Sequence, residues 1–211
     1  MSAAASNNDF VQPTSFAFND ANLAEAKKHI AKYPKGRQAS AVMPLLWLAQ
    51  YQEGWVSRVA MDVIAGMLEM APIRVYEVAT FYTMYSLKPK GTHLIQVCRT
   101  TPCWLRGSDG LTDLCKKKLG IGMHETTKDG KFTLMEVECL GACVNAPMVQ
   151  INDDFYEDLT PESLSKVLDE LAAGKQPKVG PQIDRLNSAP EGGMTTLKDV
   201  APRNPNGGAG E

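Results

Sequence analysis

A chain of 211 residues with 44% hydrophobic and 22% charged side chains is long enough for one large domain or two small ones, with an ordinary globular composition. Its formal net charge of -2 supplies no basic field for nucleic acid or anionic lipid, and no apolar run approaches the ~20 residues of a membrane span. The first twenty residues are rich in Ala, Ser and Asn, carry Asp9 and lack Arg, so neither a signal peptide nor a transit peptide is expected there.

Residues 1–19 read as an irregular lead-in. Asp20 is placed to cap a helix running through Ile30, which Tyr33-Pro34-Lys35-Gly36 ends. A second helix is expected from about Arg37 to Glu53, with Val42, Leu45, Leu46 and Ala49 at helical spacing, Pro44 tolerable only near the first turn and Gly54 as its stop. Ser57 is a good cap for a third, in which Val59, Val63 and Met67 form one line and Ala60, Ile64 and Leu68 the next. Pro72 suits the first position of a fourth, whose apolar face is Val75, Val78, Ala79 and Tyr82. Residues 20–88 are therefore expected as a helical bundle.

After Pro89-Lys90-Gly91 the pattern changes. His93 to Val97 reads as a strand delivering Cys98 at its end, Gly107 to Leu119 as a helix, Thr133 to Glu138 and Met148 to Ile151 as strands. Thr160 caps a last helix carrying Leu164, Val167, Leu168 and Leu171, which ends at Gly174. Strands interleaved with helices imply an α/β domain over 89–175. Of the residues from Gln176 onward, eleven of thirty-six are Pro or Gly without a period, which predicts an extended tail over 176–211.

Four of the five cysteines stand in two tight pairs, Cys98-Arg99-Thr100-Thr101-Pro102-Cys103 and Cys139-Leu140-Gly141-Ala142-Cys143, with thirty-five residues between them. Each pair is close enough in sequence for two thiolates to reach one metal atom, and the residues within the pairs are mostly small or turn-forming. Two disulfides would suit a small secreted domain, but a chain of this length can bury a core without them, and thiolates kept for a metal fit a reducing compartment. Spacing alone leaves two readings open: one structural zinc held by four thiolates, or a 2Fe-2S cluster taking two thiolates on each iron. No histidine lies near either pair, which argues against a Rieske-type site. Cys115, with Leu111, Leu114 and Leu119 at helical spacing, reads as a core thiol. Arg99 and Arg106 flank the first pair, and Trp104 follows it directly. The third and fourth helices also superficially suggest a helix-turn-helix, but the would-be recognition helix offers Arg74 against Glu77 and is otherwise mostly apolar or aromatic through Tyr82, where readers of bases and phosphates need donors.

The run Pro72-Ile73-Arg74-Val75-Tyr76-Glu77-Val78-Ala79-Thr80-Phe81-Tyr82-Thr83-Met84-Tyr85, followed by Val97 to Cys103 and by Glu138-Cys139-Leu140-Gly141-Ala142-Cys143-Val144-Asn145-Ala146-Pro147-Met148, resembles the family of 24 kDa subunits of NADH:ubiquinone oxidoreductase, respiratory complex I. The resemblance spans 20–175 and extends to Gly192-Gly193-Met194-Thr195-Thr196-Leu197. It implies an α+β chain, with an N-terminal helical bundle followed by a thioredoxin-like ferredoxin domain carrying one 2Fe-2S cluster. Cys98 and Cys103 would bind one iron, Cys139 and Cys143 the other. Ala71 departs from the family, where a capping Ser is usual, and this weakens the start of the fourth helix.

The resemblance further implies a subunit of the NADH dehydrogenase module that accepts single electrons from the FMN of a flavin- and NADH-binding partner. It also implies a large iron-sulfur subunit in the same peripheral arm. Relatives serve NAD-linked formate dehydrogenases and hydrogenases with the same module. The implied location is the cytoplasmic face of a bacterial inner membrane, or the matrix side in mitochondria, without membrane insertion. No Gly-rich strand-to-helix fingerprint for a dinucleotide occurs in this chain, so FMN and NADH are expected on the partner. The apolar face of the fourth helix (Val75, Val78, Tyr82) is expected to support docking.

Overall fold

The computed structural model describes residues 10–190, 192, 193 and 196. The start of the lead-in (1–9) and most of the segment from Gly192 to the end of the tail lie outside the described residues. The chain divides into two compact units between Thr92 and His93.

The first unit contains four α-helices: α1 (Asp20–Ala31), α2 (Val42–Glu53), α3 (Arg58–Leu68) and α4 (Pro72–Phe81). Asn19, not Asp20, caps α1. Its extended backbone lets Oδ1 accept the Asn22 N–H at 2.8 Å, while Asp20 enters the first turn, where its charge favours the helix dipole. The single helix expected from Arg37 is split, with a 3-10 turn over Gln38–Ala41 preceding α2. Pro44 explains the break: it has no N–H for the carbonyl of Ser40, so regular α-helix cannot run through that turn. Ser57 caps α3 by accepting the Ala60 N–H at 3.2 Å, and Ala71, at the cap of α4, makes no side-chain bond.

The core of this unit is built from Leu45, Leu46, Ala49, Ala60, Ile64, Leu68, Val75 and Ala79, all essentially fully buried. Each large side chain among them contributes about 1.5–3 kcal/mol through burial. Of the two lines on α3, the one with Ala60, Ile64 and Leu68 faces this core, and Val59, Val63 and Met67 lie at its margin. Gln50 is buried without loss because Nε2 donates to the Met84 carbonyl (2.9 Å) and Oε1 accepts the Ser86 N–H (2.6 Å). The docking face expected on α4 is corrected by this packing: Val75 is buried and Val78 packs against the core. The apolar side chains that α4 and its end expose are Ile73, Tyr76, Phe81 and Tyr82.

The second unit contains β1 (His93–Cys98), α5 (Thr101–Leu105), α6 (Ser108–Leu119), β2 (Phe132–Val137), β3 (Val149–Ile151), β4 (Asp154–Glu157), α7 (Pro161–Ala172) and β5 (Gly180–Pro181). They form one mixed sheet in the order β2-β1-β3-β4-β5. β1 and β2 pair in parallel, from His93 with Phe132 to Cys98 with Val137, and the connection between them carries α5 and α6. β3 runs antiparallel to β1 and turns back into β4 through Asn152-Asp153, with Asn152 at φ 55° in the left-handed region that such a tight turn requires. β4 and β5 are parallel, joined through α7, which a reciprocal capping box of Thr160 and Ser163 starts.

Ile95, Leu111, Cys115, Leu134, Leu164 and Leu168 fill the core of this unit. A smaller apolar cluster of Cys98, Cys103, Ala146 and Met148, with Leu140, Ala142 and Phe155 against it, sits beyond the C-terminal end of β1. The expected sequence of helical bundle and α/β domain is the observed architecture. The tail expected from 176 begins as part of the sheet, since β5 pairs with β4 and Gln182 N–H donates to the Glu157 carbonyl at 2.9 Å.

Candidate metal centre

Parallel pairing places the ends of β1 and β2 side by side, with Cys98 opposite Val137, so the chain leaving β2 reaches Cys139 next to the end of β1. Cys98 is the last residue of its strand. Cys103 lies inside the short helix α5, where Thr101-Pro102 supply its first turn. Cys139 and Cys143 lie on the segment after β2, the latter opening a 3-10 turn over Cys143–Asn145. Cys98 and Cys103 are buried, Cys139 and Cys143 exposed.

The second pair is close: the sulfurs of Cys139 and Cys143 stand 3.6 Å apart. Two sulfurs at about 2.3 Å from one metal at the tetrahedral angle would be roughly 3.8 Å apart, so this pair needs almost no movement to share an ion. Gly141 makes the geometry. Its φ of +86° turns the chain between the two cysteines and lets its N–H donate to Cys139 Sγ at 3.4 Å. A Cβ at Gly141 would meet nothing within 4 Å, so the backbone angle, not crowding, is what calls for glycine.

The two pairs are linked. The Thr100 hydroxyl is 3.4 Å from Cys98 Sγ, and the influence of Thr100 reaches Cys139 while that of the Leu140 backbone reaches Cys98. Burial pushes the Cys98 thiol up, but bonds from Thr100, Leu140 and Cys103 outweigh it and leave it below the ordinary value. Cys103 is pushed up to about 12, first by burial and then by donating to Cys98. The N–H of Gly141, then Cys143 and Thr100, draw Cys139 down, whereas Cys143 is raised chiefly because it donates to Cys139. Metal binding at such a site releases the protons that its thiols carry.

Among the described residues no three His, Cys, Asp or Glu side chains are gathered closely enough to hold a single ion. The donor set fits a 2Fe-2S cluster, which asks for two thiolates on each of two irons and a partly dry surround. Cys115 stays outside this set, within α6 in the sheet core, where burial raises it to about 12. Arg99 faces Glu136 at 3.8 Å, and Arg106 Nε donates to the Ala146 carbonyl at 3.3 Å, tying the end of α5 to the segment after Cys143. Trp104 does not cover the sulfurs as a buried shield would. It is 56% exposed and donates to Asp109 at 2.9 Å. Thr100 was the residue that sequence reasoning missed; only its position beside Cys98 hinted at a role.

Comparison with known proteins agrees with this geometry. Residues 26–172 match the family of thioredoxin-like [2Fe-2S] ferredoxins. The first of the E subunits of NADH-quinone oxidoreductase from Rhizobium meliloti is 54% identical over 197 residues, which are 92% of this chain and 72% of that protein. The corresponding NADH-quinone oxidoreductase protein from Rickettsia bellii is 59% identical over 159 residues, 75% of this chain and 95% of that one. Among solved structures, an air-oxidized NAD+-reducing [NiFe]-hydrogenase superposes with a TM-score of 0.55 at 17% identity, over 62% of this chain and 23% of that one, a likeness of fold alone. The chain therefore belongs to the thioredoxin-like [2Fe-2S] ferredoxin family, whose cofactor is one 2Fe-2S cluster, in the line of the E subunits of NADH-quinone oxidoreductases.

Proposed function

We propose that this chain is the one-electron acceptor beside the flavin in the NADH dehydrogenase module of respiratory complex I. In this reading Cys98 and Cys103 hold one iron, Cys139 and Cys143 the other. The observation that carries it is the arrival of two cysteine pairs, distant in sequence, at the end of one parallel strand pair, with the Cys139 and Cys143 sulfurs 3.6 Å apart. When bound, a 2Fe-2S cluster supplies a one-electron redox change without transfer of atoms.

The chain's own residues set the conditions for that change. Gly141 N–H donates to Cys139 Sγ, and the Thr100 hydroxyl stands 3.4 Å from Cys98 Sγ, placed to donate to a thiolate there; donation to sulfur favours the more negative, reduced state and raises the potential. Met148, Ala146 and Leu140 keep one side of the site apolar. Beside the cysteines, Trp104, Leu105 and Val144 are 56%, 71% and 65% exposed, an apolar rim suited to a flavin- and NADH-binding partner subunit. The large iron-sulfur subunit would be a second neighbour in a peripheral arm at the cytoplasmic face of a bacterial inner membrane or the mitochondrial matrix side. Among the described residues no helix is long and apolar enough to cross a membrane.

The test is anaerobic. NADH is mixed with the loaded chain alone, with its flavin-bearing partner, and with a Cys139→Ser variant plus partner, and paramagnetic resonance is recorded. Reduction should need the partner and the four cysteines. Reduction by NADH without partner, or none with it at a potential NADH can reach, would overturn the reading.

A further inference from the structure

The segment that follows Cys143 is held by bonds to distant parts of the chain. Val144 is exposed, and the bonds that fix this stretch come from elsewhere in the chain, including the start of the tail. The tail passes β5 and brings Arg185 under the segment. The side chains of Arg185 and Asp158 are more than nine-tenths buried, and Arg185 Nη1 reaches Asp158 Oδ1 at 2.9 Å and Oδ2 at 3.1 Å. The same Nη1 donates to the Val144 carbonyl at 3.2 Å. Asn145 Nδ2 completes the network by donating to Asp158 Oδ2 at 3.2 Å and to the Asn187 carbonyl at 2.9 Å. The Asp158 N–H returns a bond to the Asn145 carbonyl at 2.8 Å, and the Asn145 N–H reaches back to the Ala142 carbonyl inside the cysteine segment at 3.0 Å.

Two of these attachment points are strained. Asp158 (φ 51°) and Asn187 (φ 48°) both occupy the left-handed region, a conformation that costs free energy in residues with a Cβ and persists where surrounding contacts over-determine it. The strain falls where the network ties the tail and the β4–α7 turn to Val144 and Asn145. A plain tail anchor would need only β5 and Gln182. The bonds to Val144 and Asn145 lie one and two residues from Cys143.

We propose that Arg185 is a positioning residue for the metal centre: through Asp158, Val144 and Asn145 it clamps the Cys139–Cys143 segment in the geometry that receives the second iron. This rests on the reading of those cysteines as ligands. Outer partners that orient metal ligands typically change affinity by roughly 10–100-fold when removed. Arg185→Met should therefore release iron to a chelator roughly 10–100-fold faster than the parent chain. Its reduced-state g values should shift, and its helix content should stay unchanged by circular dichroism. Arg185→Lys, keeping the charge and one bond, should fall between. Leu168→Ala, which opens the sheet core away from this network, controls for loss of stability and should leave the g values and the release rate as in the parent.

If the parent chain takes up one zinc and no labile sulfide, the cluster reading and the clamp both fall. If it holds two irons and two sulfides, and Arg185→Met releases iron at the parent rate with the parent g values, only the clamp falls. Equal acceleration in Leu168→Ala and Arg185→Met with unshifted g values likewise removes the clamp alone. Should Arg185→Met fail to fold, Arg185→Gln decides by the same readings, since it keeps a donor for Asp158 but is too short to reach Val144 as well.

Discussion

The fifth cysteine separates ligation from packing, because the structure predicts opposite effects for Cys115 and Cys139. Cys115 is fully buried in α6 between α7 and the sheet, and its thiol is held protonated by burial. Cys115→Ser replaces sulfur by a hydroxyl in an apolar surround, which costs about 1–3 kcal/mol when the group is left unpaired. Inside a helix the new hydroxyl can bond back to the carbonyl four residues earlier, that of Leu111, so the lower end, about 1 kcal/mol, is expected. For a chain of this size that is a fall in melting temperature of roughly 2–4 °C. The four proposed ligands are untouched, so iron and sulfide content and the visible spectrum should remain those of the parent. Cys139 is exposed, and its sulfur supports no core. Cys139→Ser should leave the melting temperature of the metal-free chain within about 1 °C, as surface changes do, while the cluster is lost or its spectrum altered. Iron and acid-labile sulfide assays, set beside thermal denaturation of metal-free protein, read both effects. Loss of the cluster in a folded Cys115→Ser chain, or an unaltered cluster in Cys139→Ser, would refute the assignment.

Thr100→Val should lower the reduction potential, since it removes the hydroxyl 3.4 Å from Cys98 Sγ while preserving shape. One hydrogen bond of about 0.5–1.5 kcal/mol corresponds to roughly 20–65 mV for a one-electron couple, to be read by potentiometric titration. His93 is depressed below its ordinary value, by burial first and by Lys131 second, so the unfolded chain binds its proton more readily than the folded one. Its contribution is whole above about pH 6.5 and is lost as pH falls through the lower folded value. His93→Gln should therefore lose less melting temperature than the parent between pH 7 and pH 5, as a pair of thermal scans would show.

The helical unit was legible because its signals are local. Gly54 and Pro72 act through their own backbone geometry and Ser57 through a side-chain cap on the adjacent turn, and the structure uses each of them as the sequence suggests. Asn19 against Asp20 was harder, since both are good caps and the chain's entry into the helix decides between them. The α4 face misled for a different reason. Apolar periodicity marks what a helix buries, and Val75 at its centre is spent on the core, leaving Ile73, Tyr76 and Phe81, off the main line, as the exposed apolar surface.

At the proposed metal centre spacing singles out the four cysteines but not what brings the pairs together. Cys139 arrives near Thr100 and Cys98 because β1 and β2 end together, a long-range pairing that local sequence does not record. The tail shows the same limit more sharply. Among its described residues β5 spans two residues, but composition averages over residues and is blind to single long-range partners. Arg185 lies 27 residues from Asp158 and 41 from Val144, so no local period records the bonds. One buried guanidinium, bonded through Nη1 at two such distant points, gives this stretch a course that its average composition does not record.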